Sequence, residues 1–369
     1  MGMASLFFSL VSVLLSIAAP LCKADQSFKT CGINAIYQLG DSTSDTGNLI
    51  RENPQSVLAR PPYGQNFFKN PTGRSSNGQL IIDYFATSAS LPFLDAYLKT
   101  NATFYGRGNG VNFAVAGATA LPSETLANKK ISSPVTNSSL SKQLDWMSIY
   151  LNGICKNADC AKKLEDSIFM VGEIGGNDYT FAQMSGKTPE EIKALVPEVV
   201  KATKEAVTKV VGYGAPRVVV FGHFPMGCFP ISLTDVPAND SAAFDELHCL
   251  KNLNALSLYH NEQLQKAILE LKTQHPNVAI LYGDFYNAFL SILRNVDKLG
   301  FDAKSVQKAC CGIGGDYNFN VTRICGSPGV PVCPDPQKFI NWDGVHLTQQ
   351  AYYHIFTWLI RDISSQLRC

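Results

Sequence analysis

Five short apolar segments, separated by stretches with a helical pattern, constrain the fold of this chain more than any other feature. Each is dense in apolar residues and stops at or near a glycine, which is typical of a buried strand. The segments are Ile33–Leu39, Val111–Val115, Ser167–Val171, Arg217–Phe221 and Val278–Leu281. Apolar strands that alternate with helices predict a parallel sheet covered on both faces, and hence an α/β fold.

Small and polar residues follow the first three predicted strands. Gly40-Asp41-Ser42 comes after the first, Gly117 after the second, and Asn177 after the third, behind a pair of glycines. Parallel sheets place their sites at the C-terminal ends of the strands, so we expect Ser42, Gly117 and Asn177 at one edge. There a glycine N–H or an asparagine amide could donate to an oxyanion, although both residues are also ordinary turn formers.

Ser42 is a candidate nucleophile because of its position after a buried strand. The residues that follow, Thr43 to Asp45, favour a helix start, and a helix N-terminus would stabilise a developing alkoxide. Gly-Asp-Ser alone is also a common turn sequence. Near the other end of the chain, Asp343 precedes His346 by three residues. Together they could supply the base and the orienting carboxylate that a serine nucleophile needs.

Five longer motifs resemble one known family. They are LGDSTSDTGN at 39–48, PTGRSSNGQLIIDYFA at 71–86, NFAVAGATAL at 112–121, GEIGGNDY at 172–179 and DGVHLT at 343–348. In these motifs and their order the chain is similar to plant members of the GDSL esterase/lipase family, the SGNH hydrolases. The resemblance covers nearly all of the mature sequence, and it is strongest to a plant esterase that deacetylates an indole alkaloid.

The resemblance implies a role for each residue of the site. Ser42 would be the nucleophile, His346 the general base and Asp343 its orienting carboxylate. The oxyanion donors would be the backbone N–H groups of Ser42 and Gly117 and the side-chain amide of Asn177. The implied fold is a flavodoxin-like three-layer α/β/α sandwich with a five-stranded parallel sheet.

The implied activity is hydrolysis of a small-molecule ester through an acyl-enzyme. We expect an acetyl or other small acyl group on a plant specialised metabolite such as an alkaloid. Two alternatives stay open at this point: acyl transfer to an alcohol acceptor, and lipase activity on longer acyl esters. The triad is the same in all three cases. No metal and no cofactor is expected.

Other classes of protein fit the sequence less well. The formal net charge is +1 with no dense run of Lys or Arg, which disfavours a nucleic-acid partner. The G-x-S-x-G pentapeptide of α/β-hydrolases is absent, and the glycines at 106–110 do not fit a dinucleotide-binding motif. A non-catalytic secreted binding protein could keep such a fold, but it would not need Ser42, Asp343 and His346 together.

Residues 1–24 have the pattern of a secretory signal peptide. The run Leu6–Ala19 is apolar and uncharged, and Cys22-Lys23-Ala24 suits cleavage after Ala24. A signal anchor is the alternative. We expect residues 25–369 to form a single hydrolase domain, a monomer without stable membrane insertion, in the extracellular space (apoplast) or the vacuole.

Ten cysteines follow Cys22, and an even number behind a signal peptide indicates disulfides. Cys155 and Cys160 are the easiest local pair. The cluster at 310–333 could be a metal site, but it lacks paired C-x-x-C spacing, which favours disulfides. Four glycosylation sequons fit the same route: Asn101, Asn137, Asn239 and Asn320.

Three further expectations concern local structure. The proline-rich stretch Arg51–Asn77, which contains Tyr63, is expected to be an ordered loop near the site. Pro189–Val211 is predicted as one long helix. Asp83, His223, His248 and His260 are expected to be structural or packing residues rather than catalytic ones.

Overall fold

The computed structural model describes residues 27–99, 108–155, 160–236 and 241–367. Five parallel strands form one sheet in the order β2-β1-β3-β4-β5. Their bounds are Ala35–Leu39 (β1), Gly110–Asn112 (β2), Ser167–Val171 (β3), Arg217–Phe221 (β4) and Ala279–Gly283 (β5). This is the strand order of flavodoxin-like sheets, in which the chain first winds to one side of β1 and then to the other. The predicted fold class is confirmed.

Helices and short 3₁₀ turns connect the strands. In chain order the helices are α1 (Ser27–Thr30), α2 (Leu49–Glu52), α3 (Ile81–Ser88), α4 (Ser123–Asn128), α5 (Leu140–Ile154), α6 (Cys160–Leu164), α7 (Gly176–Met184), α8 (Pro189–Ala194), α9 (Val196–Gly212), α10 (Pro230–Leu233), α11 (Lys251–Gln274), α12 (Phe285–Leu293) and α13 (Gln349–Leu367). The 3₁₀ turns are Val57–Ala59, Met226–Cys228, Ser241–Ala243 and Pro336–Lys338.

Side chains of the strands alternate between two apolar cores. On β1, Tyr37 and Leu39 lie in one core and Ile36 lies in the other, and β3 and β4 alternate in the same way. The first core includes side chains of α5, α9 and α11, and the second includes side chains of α3, α12 and α13. Both faces of the sheet are therefore covered, which explains why its strands are apolar throughout.

The prediction of one long helix over Pro189–Val211 is wrong in one respect, because this stretch forms two helices. α8 ends at Ala194 and α9 begins at Val196, with Leu195 between them. Pro197 is the second residue of α9, where its missing N–H costs nothing. In an uninterrupted helix its ring would clash with the carbonyl group four residues earlier, so the chain breaks there.

The second strand is shorter than predicted, since it ends at Asn112 rather than Val115. Beyond Asn112 the chain still follows β1. The N–H of Phe113 donates to Gln38 O at 2.8 Å, and the N–H of Val115 donates to Gly40 O at 3.2 Å. These bonds place the turn after β2 beside the turn after β1.

Disulfides form where the cysteine pattern predicted them. Cys155 is bonded to Cys160, and two bonds, Cys310–Cys333 and Cys311–Cys325, account for the cluster that resembled a metal site. Cys228–Cys249 is a further bond, and Cys31 is also oxidised.

Several expectations about the secretory route concern residues beyond those described. The predicted signal peptide lies outside them, as do Asn101 and Asn239. Asn137 is exposed and Asn320 is partly exposed. Within the described ranges, every helix is too short or too polar to cross a lipid bilayer.

Candidate active site

Ser42 lies in a tight turn directly after β1. The N–H groups of Ser44 and Asp45 both donate to Asp41 O, at 3.2 and 3.0 Å. A β-carbon at Gly40 would lie 3.0 Å from Glu173 O, so only glycine allows β1 and the turn after β3 to come this close.

The expectation that Thr43 to Asp45 begin a helix is wrong. The next helix, α2, begins at Leu49. The Asp45 carboxylate instead accepts hydrogen bonds from the N–H groups of Gly47, Asn48 and Leu49, and from Ala116 N–H at 2.9 Å. These bonds hold an irregular loop between the turn and α2. Ser42 therefore does not lie at a helix N-terminus, and a helix dipole cannot stabilise its alkoxide.

Three side chains from the two ends of the chain form one line of hydrogen bonds. His346 Nε2 lies 2.8 Å from Ser42 Oγ, and His346 Nδ1 lies 2.8 Å from Asp343 Oδ2. The other carboxylate oxygen, Oδ1, accepts the N–H groups of Val345 and His346, at 3.0 and 2.8 Å. The carboxylate is thus held from both sides, with the imidazole directed at the serine hydroxyl.

Electrostatics within this line favour an ionised Asp343 beside a basic His346. Burial alone would raise the pKa of Asp343, but His346 and the hydrogen bonds to the carboxylate lower it below its ordinary value. Burial opposes a charge on the imidazole, yet the neighbouring Asp343 carboxylate raises the pKa of His346 above its ordinary value. His346 is therefore a stronger base than a free histidine.

The two other predicted oxyanion donors, Asn177 and Gly117, lie in different surroundings. Asn177, near the start of α7, shares a cavity with Ser42 and His346, and its Nδ2 donates to Ala118 O at 2.9 Å. Gly117 is buried with a φ of 81°, and it does not line that cavity. A β-carbon at Gly117 would lie 2.4 Å from Val135 Cγ1, so the position requires glycine.

The cavity that contains Ser42, called here the serine cavity, has a volume of about 100 Å³. Its apolar lining consists of Phe224, Met226, Phe229, Ile231, Val345, Leu347 and Tyr352, and Thr43, Asn177, Thr180 and Ser232 are among its polar lining residues. Asp41 and Glu173 also line it. Burial raises the pKa of Asp41 to about 6, and burial together with the nearby Asp41 raises the pKa of Glu173 well above its ordinary value. Near neutral pH the two carboxyl groups therefore carry less negative charge than two free carboxylates.

The polar residues that were predicted to be structural rather than catalytic make ion pairs, hydrogen bonds or ring contacts. Asp83 makes a buried ion pair with Arg74 at 2.7 Å and caps α3. His223 Nε2 donates to Ile174 O at 3.1 Å, and burial lowers the pKa of His223 to about 4. His260 stacks on His223, and His248 stacks on the ring of Phe244.

Comparison with known proteins places this chain in a family. Residues 36–359 match the model described as GDSL-like Lipase/Acylhydrolase. Acetylajmalan esterase 2 from Rauvolfia serpentina is 44% identical over 374 residues, which cover 100% of this chain and 100% of that protein. A GDSL esterase/lipase from Arabidopsis thaliana is 43% identical, with 92% of each chain covered.

The chain belongs to the GDSL lipase/acylhydrolase family. It is a carboxylic ester hydrolase, like the relatives that it matches over 92% to 100% of their length. The resemblance predicted from the five sequence motifs is confirmed. Among solved structures, phospholipase A1 from Streptomyces albidoflavus NA297 aligns at 14% identity with a TM-score of 0.39, covering 89% of this chain and 99% of that one.

Two residues of this GDSL hydrolase contact the site without having been predicted to do so individually. The hydroxyl of Tyr63, in the loop expected near the site, donates to Asp343 Oδ2 at 2.8 Å. Gln143 of α5 donates to Gly40 O at 2.8 Å and accepts from Gly40 N–H at 2.9 Å. Tyr63 thus holds the carboxylate, and Gln143 fixes the backbone that presents Ser42. Only the loop containing Tyr63 gave a sequence signal.

Proposed function

We propose that this GDSL hydrolase is a secreted serine carboxylesterase that removes an acetyl or other small acyl group from a plant specialised metabolite, such as an alkaloid. Ser42, His346 and Asp343 are the proposed catalytic triad. The observation that carries the proposal is the hydrogen-bonded line from Ser42 Oγ through the imidazole to Asp343, with 2.8 Å at each step. Such a line activates a hydroxyl group as a nucleophile.

Each triad residue has one task in this mechanism. Ser42 Oγ attacks the ester carbonyl carbon while His346 Nε2 takes its proton, and Asp343 stabilises the imidazolium. Collapse of the tetrahedral intermediate breaks the bond to the alcohol oxygen, which receives the proton from His346. Water then attacks the acyl-enzyme by the same steps and releases the acid and free Ser42.

The proposed oxyanion donors are two backbone N–H groups and one side-chain amide. Among the described residues, no backbone carbonyl accepts from the N–H of Ser42 or of Gly117. Ser42 lines the serine cavity, whereas the role of Gly117 is proposed from the family resemblance alone. Asn177 Nδ2 uses one hydrogen for Ala118 O, and its second hydrogen is free to bind the oxyanion. Donors fixed in advance stabilise the charge that develops in the transition state.

The size of the serine cavity supports a small acyl group. Its volume of about 100 Å³ is far below the roughly 300–1,000 Å³ of sites that bury a drug-sized ligand. The names of the acetylajmalan esterases point to an acetyl ester as well. None of the proposed steps calls for a metal or a cofactor.

Secretion is the proposed route for residues 25–369, which we take to form one domain and a monomer. The apolar run Leu6–Ala19 and the bonded cysteines support that route. The proposed destination is the apoplast or the vacuole.

We expect activity to be lost in acid as His346 becomes protonated. Its raised pKa predicts that kcat/KM falls through a midpoint above the ordinary histidine value of about 6.5. The rate at which a fluorophosphonate labels Ser42 should follow the same curve, because it needs the same neutral base. Constant activity and labelling down to pH 5 would contradict the assignment of His346 as the base.

A partition experiment tests hydrolysis against acyl transfer. The purified protein is given an acetyl ester together with millimolar plant alcohols, and free acid and new ester are both measured. We expect free acid to predominate, because transfer needs an acceptor held in attack geometry in competition with water. Predominant new ester would make the protein an acyltransferase that uses the same triad.

A further inference from the structure

A second concavity lies beside the serine cavity, bounded by α8 and the beginning of α11. It is called here the side groove, and its volume is about 410 Å³. Its walls include the apolar residues Ile192, Val236, Leu250, Leu253 and Leu256. A volume in the range of roughly 300–1,000 Å³ can hold a multi-ring molecule, which the serine cavity cannot.

The side groove continues from the serine cavity along a shared wall. On α7, Asn177 and Thr180 line the serine cavity and Gln183 lines the groove, and residues three apart are neighbours on a helix surface. Ser232 of α10 lines both spaces. Gln183 Nε2 also donates to Asp235 Oδ2 at 3.3 Å, which joins α7 to the segment after α10. The two spaces are therefore neighbours with a common boundary.

The shared wall lies next to the loop that contains His346. The N–H of Ile231, in α10, donates to Gly344 O at 3.0 Å, and Ser232 follows Ile231 in the chain. In the proposed mechanism His346 protonates the leaving alcohol, so the alcohol must lie on the His346 side of the scissile bond. An alcohol on that side would lie next to the shared wall, and so next to the groove.

The charges at the groove are mixed. Lys187 and Lys193 lie there together with Glu190 and Asp235, around the apolar walls. Such a surface favours a mainly apolar molecule with a few polar substituents, and it selects neither a strong anion nor a strong cation.

We propose that the side groove is the subsite for the alcohol portion of the ester, and that this portion is a bulky, mainly apolar, multi-ring alcohol. The serine cavity then receives only the short acyl group. This inference rests on the proposed hydrolase function and adds a division of the substrate between two spaces.

The test uses substitutions that make the groove narrower by adding a large side chain at its solvent-exposed side. Ala255 and Asn252 lie on the part of α11 that lines the groove, and both are exposed, so Ala255→Trp and Asn252→Trp should fold. For each variant, kcat/KM is measured with ethyl acetate and with acetates of multi-ring alcohols such as estradiol 17-acetate. We expect the ratio of the bulky to the small acetate to fall about 10- to 100-fold. Leu258→Trp, on the same helix outside the groove and 50% exposed, is the control that leaves the ratio unchanged.

A second series varies the acyl group with the alcohol kept small. Ethyl octanoate and ethyl acetate should be affected to the same degree in Ala255→Trp. A loss confined to ethyl octanoate would overturn the proposal, because the groove would then hold the acyl chain. An unchanged ratio, or a wild-type protein that prefers ethyl acetate to every multi-ring acetate, would also overturn it. Failure of the hydrolase function is recognised separately, by turnover of none of these esters together with no fluorophosphonate label on Ser42.

Discussion

Ser42→Ala is expected to lower kcat by about 10⁴- to 10⁶-fold, because triad members act as a unit and removal of one removes most of their effect. The fold should be unchanged, since the hydroxyl is only partly buried and its hydrogen-bond partner is His346. The measurement is kcat on a small acetyl ester, with thermal unfolding followed in parallel. Near-wild-type turnover would exclude Ser42 as the nucleophile.

The same turn offers a matched control for this substitution. Ser44 lies two positions on, and its buried hydroxyl has no hydrogen-bond partner within the described residues. Ser44→Ala removes the same atom from the same turn without touching His346, so activity should stay within a few-fold of wild type. A fluorophosphonate should label wild type and Ser44→Ala, and should not label Ser42→Ala. Equal losses in both variants would point to a structural role for the turn instead.

Asn177→Ala is expected to lower kcat by about 10²- to 10³-fold, with a much smaller change in KM. An oxyanion donor acts mainly on the transition state, so its removal affects the chemical step more than substrate binding. Both constants are measured on the same acetyl ester. An increase in KM alone would make Asn177 a substrate contact or a turn residue.

Asn177→Ala could also change the packing of α7, and a second substitution controls for this effect. Asn177 also donates to Ala118 O, so its loss could loosen α7 against the turn after β2. Met184→Ala changes the other end of α7, where the side chain is 61% exposed, and it should leave kcat and KM unchanged. Similar melting temperatures for the two variants would attribute the loss of kcat in Asn177→Ala to the missing donor.

The sequence alone determined the sheet and the small and polar turn residues that follow its first three strands. A strand buried on both faces must be apolar at nearly every position, so β1, β3, β4 and β5 were visible as local runs. The C-terminal ends of parallel strands lie at one edge of the sheet, and this rule was sufficient to predict that Ser42 and Asn177 lie near each other. The turn residues that follow each strand made the family resemblance specific.

Prediction from local sequence failed where a side chain accepts the backbone hydrogen bonds that a helix would otherwise make. Thr43 to Asp45 have the composition of a helix start, but the Asp45 carboxylate bonds Ala116 N–H across the sheet edge and holds a loop instead. The propensity for a helix was overridden by a contact with a residue 71 positions away. Pro197, by contrast, was a local signal for the break between α8 and α9.

Only the tertiary structure decided which distant residues hold the site and how much space surrounds it. Gln143 binds Gly40 from 103 positions away, and Tyr63 reaches Asp343 from 280 positions away. No periodicity or motif spacing in the sequence predicts either contact, because each depends on where whole helices and loops pack against the sheet. The side groove arises in the same way from α7, α8, α10 and α11. Its volume is set by the distances between these helices, and those distances follow from packing in three dimensions and not from any local pattern.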